Sequence, residues 1–92
     1  MNSAALKVYV PVEVLFTEDG RMRPRAIRWE DGRTYAIDRV LDVRPSAAMR
    51  AGGQGDRYTV RVRGRETYLF FEHSVEYGDP QPGKWFVERK GE

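Results

Sequence analysis

His73 is the chain's one histidine, and Glu72-His73-Ser74-Val75-Glu76 is the one place where a ligating nitrogen stands among carboxylates. Zinc sites are built from several nitrogen or sulfur ligands. A single imidazole with Glu72 and Glu76 at these spacings does not compose one, and the chain has no cysteine to complete it. A loop histidine is expected. A Ser-His-acid arrangement requires a serine activated by a histidine that a carboxylate orients. The serines are Ser3, Ser46 and Ser74, and none has a context that marks it as a nucleophile. The run Gly52-Gly53-Gln54-Gly55 lacks the Lys-Ser/Thr pair of a phosphate-binding loop and leads into a strand rather than a helix. It reads as a connector. No catalytic constellation, metal or cofactor is therefore expected, and the protein reads as non-enzymatic.

The remaining candidates for chemistry are arginines. Residues 21–65 hold twelve arginines, no lysine and five acidic residues, a local net of +7 inside a chain whose total is +2. Arg21, Arg23 and Arg25 alternate along one stretch, Arg28 follows, and Arg61, Arg63 and Arg65 crowd a turn. Arginines on a curved sheet, beside aromatics such as Tyr9 or Phe71, can grip phosphates and stack on bases. The competing expectation is that they solvate outer faces and pair across strands with Glu13, Glu66 and Glu72.

Ninety-two residues make one domain, 1–92, with residues 1–6 expected to fray. A chain this short buries roughly 60–65% of its unfolded surface, so its core is thin. No apolar run approaches the roughly 18–20 residues of a membrane span, and no basic-then-apolar leader opens the chain. With no cysteine in use, a cytoplasmic protein with no membrane partner is expected.

The elements that must carry these groups are strands. Ala26–Val43 contains the clearest hairpin, with Asp31-Gly32 at its tip. A two-residue loop would put Tyr35 on the face of Arg28. A three-residue loop, Glu30-Asp31-Gly32, puts Ile27, Trp29, Tyr35 and Ile37 on one face, and burial selects it because a one-residue slip flips every side chain. Trp29 and Tyr35 are then core rather than a binding platform.

Six strands are expected in all. Lys7–Phe16 alternates cleanly with Pro11 as an edge or bulge, and Arg21–Trp29 carries a similar mark at Pro24. Thr34–Val43 breaks parity at Arg39, which predicts a bulge near Asp38-Arg39. Ser46–Arg50 could form one helical turn in the long connection that follows. Arg57–Val62 puts Tyr58, Val60 and Val62 on one face. With Arg63-Gly64-Arg65 as the turn, Thr67–Glu72 continues that face through Tyr68 and Phe70 and leaves Leu69 and Phe71 on the other, so the strand is either central to a closed barrel or carries a protein interface on Leu69 and Phe71. Lys84–Arg89 closes the chain. The fold class is all-β: a small five- to six-stranded antiparallel, strongly bent barrel of the SH3-like kind.

Trp29–Val43 (W-E-D-G-R-T-Y-A-I-D-R-V-L-D-V), with Arg57–Glu72 and Lys84–Glu88, resembles a family of small uncharacterised bacterial all-β proteins. That family brings no activity with it. The tryptophan, G-R-x-Y and downstream V-L are also similar to short β domains that accompany Y-family DNA polymerases, which implies a nucleic-acid or repair-associated setting and no particular residue. Two functions are carried forward. One is a module binding nucleic acid, or a nucleic-acid-processing partner, through Arg21, Arg23, Arg25, Arg28, Arg61, Arg63 and Arg65. The other is a protein-interaction or self-assembly domain, a homodimer included, that uses strand 67–72 with Leu69 and Phe71, or the edge of strand 7–16.

Overall fold

The computed structural model describes residues 5–46, 55–74, 78 and 82–90. They form eight strands: β1 (Ala5–Tyr9), β2 (Val12–Phe16), β3 (Met22–Arg28), β4 (Thr34–Ala36), β5 (Arg39–Ser46), β6 (Gly55–Val62), β7 (Arg65–His73) and β8 (Gly83–Lys90). All pairings are antiparallel. The all-β class holds. The ladders define two sheets, one five-stranded in the order β1-β8-β7-β6-β5 and one three-stranded in the order β2-β3-β4, rather than one closed barrel. Among the described residues no helix is long and apolar enough to cross a membrane.

Eight strands arise where six were expected because two long strands are shared between the sheets. The Val10 N–H donates to the Trp85 carbonyl (3.1 Å), still in the larger sheet, while the Pro11 carbonyl already accepts from Arg28 N–H (3.0 Å) in the smaller one. Pro11 has no N–H to lose at that handover. The second handover is at Ile37-Asp38: Ile37 N–H donates to Arg25 O and Asp38 N–H to Arg61 O, each 2.8 Å. The parity break expected near Asp38-Arg39 is therefore this change of sheet, and the bulge itself falls at Leu41, which has no partner between Val40↔Val60 and Asp42↔Thr59. Residues 1–6 were expected to fray, yet Ala5 and Leu6 pair with Lys90 and Arg89. The helical turn expected at 46–50 and the run Gly52-Gly53-Gln54 lie outside the described residues, apart from Ser46 at the end of β5.

The β3–β4 hairpin has the three-residue loop that burial selects. Trp29 N–H donates to Arg33 O (2.8 Å), Ile27 pairs with Tyr35, and Gly32 takes the φ of +83° that closes the turn. Ile27 is buried, and Trp29 and Ile37 pack against the core beside it, whereas Tyr35, expected in the core with them, is half-buried and lies outside that cluster.

The β6–β7 hairpin overturns the expected register. Its loop is two residues, Arg63 (φ +52°) and Gly64 (φ +78°), so Val62 faces Arg65 and Tyr58 faces Leu69. Both central φ values are positive, as the two-residue primed turn demands. A three-residue loop would have paired Tyr58 with Phe70; shortening it by one exchanges the faces of the whole of β7. Leu69 (0% exposed) and Phe71 (4%) therefore lie in the core with Val10, Ile27, Tyr58, Val60 and Val87. They are not interface residues, because no partner can reach them.

Tyr68 and Phe70 turn to the outer face of the larger sheet. There the register builds one row across all five strands: Tyr9↔Phe86, Phe86↔Phe70, Phe70↔Arg57 and Arg57↔Arg44. Phe70 and Phe86 stack at 4.9 Å and are both buried. Lys7 Nζ sits 4.9 Å from the Phe86 ring centre, and Arg57 lies 4.5 Å over Tyr68. Cations and aromatics thus seal a second, smaller cluster on a face that a two-layer protein would leave wet.

Candidate functional site

Pro24 and the bulge beside it decide where the β3 arginines point. Arg25 has no partner between Pro24↔Val14 and Ala26↔Glu13, so β3 gains a residue and its parity switches there. Met22 and Pro24 face inward before the bulge and Ile27 faces inward after it, while Arg23, Arg25 and Arg28 are all exposed. Arg21, Arg23 and Arg25 share the parity of Ile27 and Trp29 in the sequence, and this bend is what lets the arginines face out while Ile27 faces in.

The structure gathers some of the seven arginines and separates others. Arg21, Arg23 and Arg25 line one side of a cleft of about 830 Å³ where β3 and β5 diverge. Arg39, at the start of β5, lines the opposite side. Arg39 was not foreseen. It stands next to Asp38, and nothing in the chain's order indicates that it returns to face β3; the parity break at that point was its only signal. Arg23, Arg25 and Arg39 have no ion pair or hydrogen-bonded side-chain partner among the described residues, whereas Arg21 lies 3.4 Å from Asp19. Asp19 and Asp38 also line the cleft, so the balance is four cations to two anions. Tyr58 reaches its floor, and burial pushes its phenol above the usual range, with Asp56 nearby adding to the effect.

Arg61 faces Arg39 across β5 and β6 and lies 3.5 Å from Glu66. Two residues further along, Arg63 and then Arg65 line a second cleft, of about 780 Å³, with Trp29 and Tyr35. The line Arg39–Arg61–Arg63 thus leads from one cleft to the other. Arg28 stands apart, exposed on β3 opposite Thr34 and lining neither cleft.

The pairing expected of the glutamates holds only in part. Glu66 does meet Arg61, but Glu72 takes Lys7 (3.5 Å) and accepts the Tyr9 hydroxyl (2.7 Å). That hydrogen bond holds the Tyr9 phenol above its ordinary range. His73 Nε2 lies 3.0 Å from Asp56 Oδ2. Among the described residues there is no group of three side chains able to hold a metal ion, and Glu76 lies outside them.

The hairpin tip beside the second cleft is held by one carboxylate. Asp31 Oδ1 accepts the Arg33 N–H (2.8 Å) and Oδ2 accepts the Tyr35 hydroxyl (2.9 Å). The Arg33 N–H lowers the Asp31 pKa most; desolvation opposes it, and the Tyr35 hydroxyl and the Arg33 charge add to the lowering. A carboxyl whose folded pKa lies below its unfolded one contributes stability that is present above the ordinary aspartate range and lost as pH falls through the folded value. Asp31→Asn should remove that part of the acid sensitivity, seen as a smaller drop in urea midpoint between neutral pH and about pH 3. An unchanged drop would show that the carboxylate does not hold the tip.

Comparison with protein-family models, curated proteins and solved structures found no match.

Proposed function

We propose that the protein is a non-enzymatic module that binds nucleic acid, alone or on a nucleic-acid-processing partner, through the arginine-lined cleft between β3 and β5. One observation carries the reading: Arg23, Arg25 and Arg39, from two strands distant in sequence, line one cleft without anionic partners. Unpaired guanidiniums kept close together repel one another, and a phosphate backbone relieves that repulsion while releasing counterions. The likeness to β domains beside DNA polymerases points the same way. In this reading the two sheets act as halves of a strongly bent, SH3-like barrel that hands over at Val10-Pro11 and Ile37-Asp38, and the module works in the cytoplasm.

The protein-interaction reading no longer has Leu69 and Phe71, and β7 is an inner strand. Its remaining support is the edge at β2, where Phe16 is 64% exposed and Leu15 45%. One set of samples separates the two. Fluorescence anisotropy with single-stranded and duplex oligonucleotides should show association that weakens steeply with salt. Neutralising Arg23, Arg25 and Arg39 together to glutamine should flatten the log K against log salt slope by about 2, at roughly 0.7 for each phosphate left unneutralised. No binding to either polymer at low salt overturns the proposal. A dimer seen by light scattering and abolished in Phe16→Ser would then move the conclusion to the second reading.

A further inference from the structure

The second cleft contains what reading a base requires, and two independent observations mark it. The first is preorganisation. The Trp29 side chain, just past the end of β3, packs against the core, and the Tyr35 ring is held through its hydroxyl to Asp31. Both aromatics line the cleft above Ile27, and neither has to be ordered by a ligand. Its volume of about 780 Å³ falls within the range of small-ligand sites. The second is backbone strain. Arg63 has a φ of +52°, at a turn position where asparagine or glycine fits best and a residue with a long side chain is disfavoured. The arginine at this strained position extends a guanidinium toward Tyr35, 5.8 Å from the ring centre. That is near the outer limit of about 6 Å for a cation over a ring. The contrast is Arg57, which sits 4.5 Å over Tyr68. Arg63 is a loosely seated cation, and Arg65 beside it has no ion pair or hydrogen-bonded side-chain partner among the described residues.

We infer that this cleft takes one unpaired base of a single-stranded nucleic acid, stacked against Trp29 and Tyr35, with the adjoining phosphate on Arg63 and Arg65. Glu88 at the rim supplies an acceptor for an exocyclic amine. A base within a duplex presents only its edge to a groove and has no free face to lay on an aromatic ring. The inference rests on the proposed function for its polymer, and makes that polymer single-stranded; the Arg39–Arg61–Arg63 line is the path between the two clefts.

Trp29 and Trp85 are the only tryptophans, so Trp85→Phe leaves Trp29 as the sole indole reporter. A short single-stranded oligonucleotide should quench it, while a blunt duplex of the same sequence, bound or not, should leave it unchanged. Arg63→Gly is the decisive variant, because glycine suits the positive φ. It should raise Tm yet weaken single-strand affinity about five-fold or more, and Arg65→Gln should weaken it further. A merely structural Arg63 would give the Tm gain with affinity unchanged, and that result overturns the inference. Anisotropy reporting single-strand binding with no Trp29 quenching overturns it too, while leaving the proposed function standing. If no polymer binds, a nucleoside monophosphate titrated alone decides: Arg63-dependent quenching preserves the cleft as a base site, and its absence ends it.

Discussion

Leu69→Ala should destabilise the domain by about 2–5 kcal/mol, and Tyr68→Ala, one residue earlier on the same strand, by about 1 kcal/mol. Leu69 is fully buried where β7 crosses the middle of the larger sheet, and Tyr58 is its partner across β6. Truncation there leaves a cavity bounded by both sheets, which cannot collapse without moving strands. Tyr68 is 49% exposed and gives up only its packing on Arg57 and the edge of Phe70. For a domain whose whole stability is on the order of 5–15 kcal/mol, the first change takes a large share. Urea midpoints at constant m read both values. The comparison tests register as well as packing, because a three-residue β6–β7 loop would bring Tyr68 inward and reverse the order of the two losses.

The two hairpins show what made register legible and what hid it. Around Asp31-Gly32 the flanking strands are apolar on one parity only, so a single loop length buries Ile27, Trp29 and Ile37 together, and the chain adopts it. Around Arg63-Gly64 the second strand is apolar on both parities, Leu69 and Phe71 against Tyr68 and Phe70, so burial cannot choose. The turn residue itself misleads, because an arginine at positive φ does not resemble the Asn-Gly that marks a two-residue loop. Both faces of β7 are in fact used, one for the core and one for the Phe70–Phe86 stack.

The site divides in a similar way. The alternation of Arg21, Arg23 and Arg25 was visible, and Pro24 marked the bend that turns them outward while Ile27 faces in. Their convergence with Arg39 was not, since it depends on a chain that changes sheets at Ile37-Asp38, a tertiary event with no local signature beyond a lost alternation. The row from Tyr9 to Arg44 was hidden for the same reason: it requires the first strand to pair with the last. Local pattern identified strands and their inward faces wherever one face alone was apolar. What it could not reach was any pairing set by strands distant in sequence.

Gly83→Ala should lower Tm by more than about 12 °C, several times the loss from Gly32→Ala. The two glycines are needed for different reasons. At Gly32 an added Cβ meets nothing within 4 Å, so the penalty is that of a positive φ alone, about 1 kcal/mol and some 4–8 °C for a domain this size. At Gly83 a Cβ would overlap the Glu72 carbonyl oxygen and come within 2.7 Å of Phe71 Cζ. The first obstacle is backbone and cannot rotate away. The second is a buried ring packed against Trp85 at 4.8 Å, in a core that gives way only at a cost. Relief therefore requires β8 to lift off β7 where His73 pairs with Gly83 and Glu72 with Lys84. That movement would drag Glu72 away from Lys7 and Tyr9, so the damage would pass through β8 to β1 at the far edge of the sheet. A loss above about 3 kcal/mol is the scale expected of overpacking that backbone cannot accommodate. A Gly83→Ala protein melting within a few degrees of Gly32→Ala would mean that the β7–β8 end of the larger sheet can open without disturbing its core.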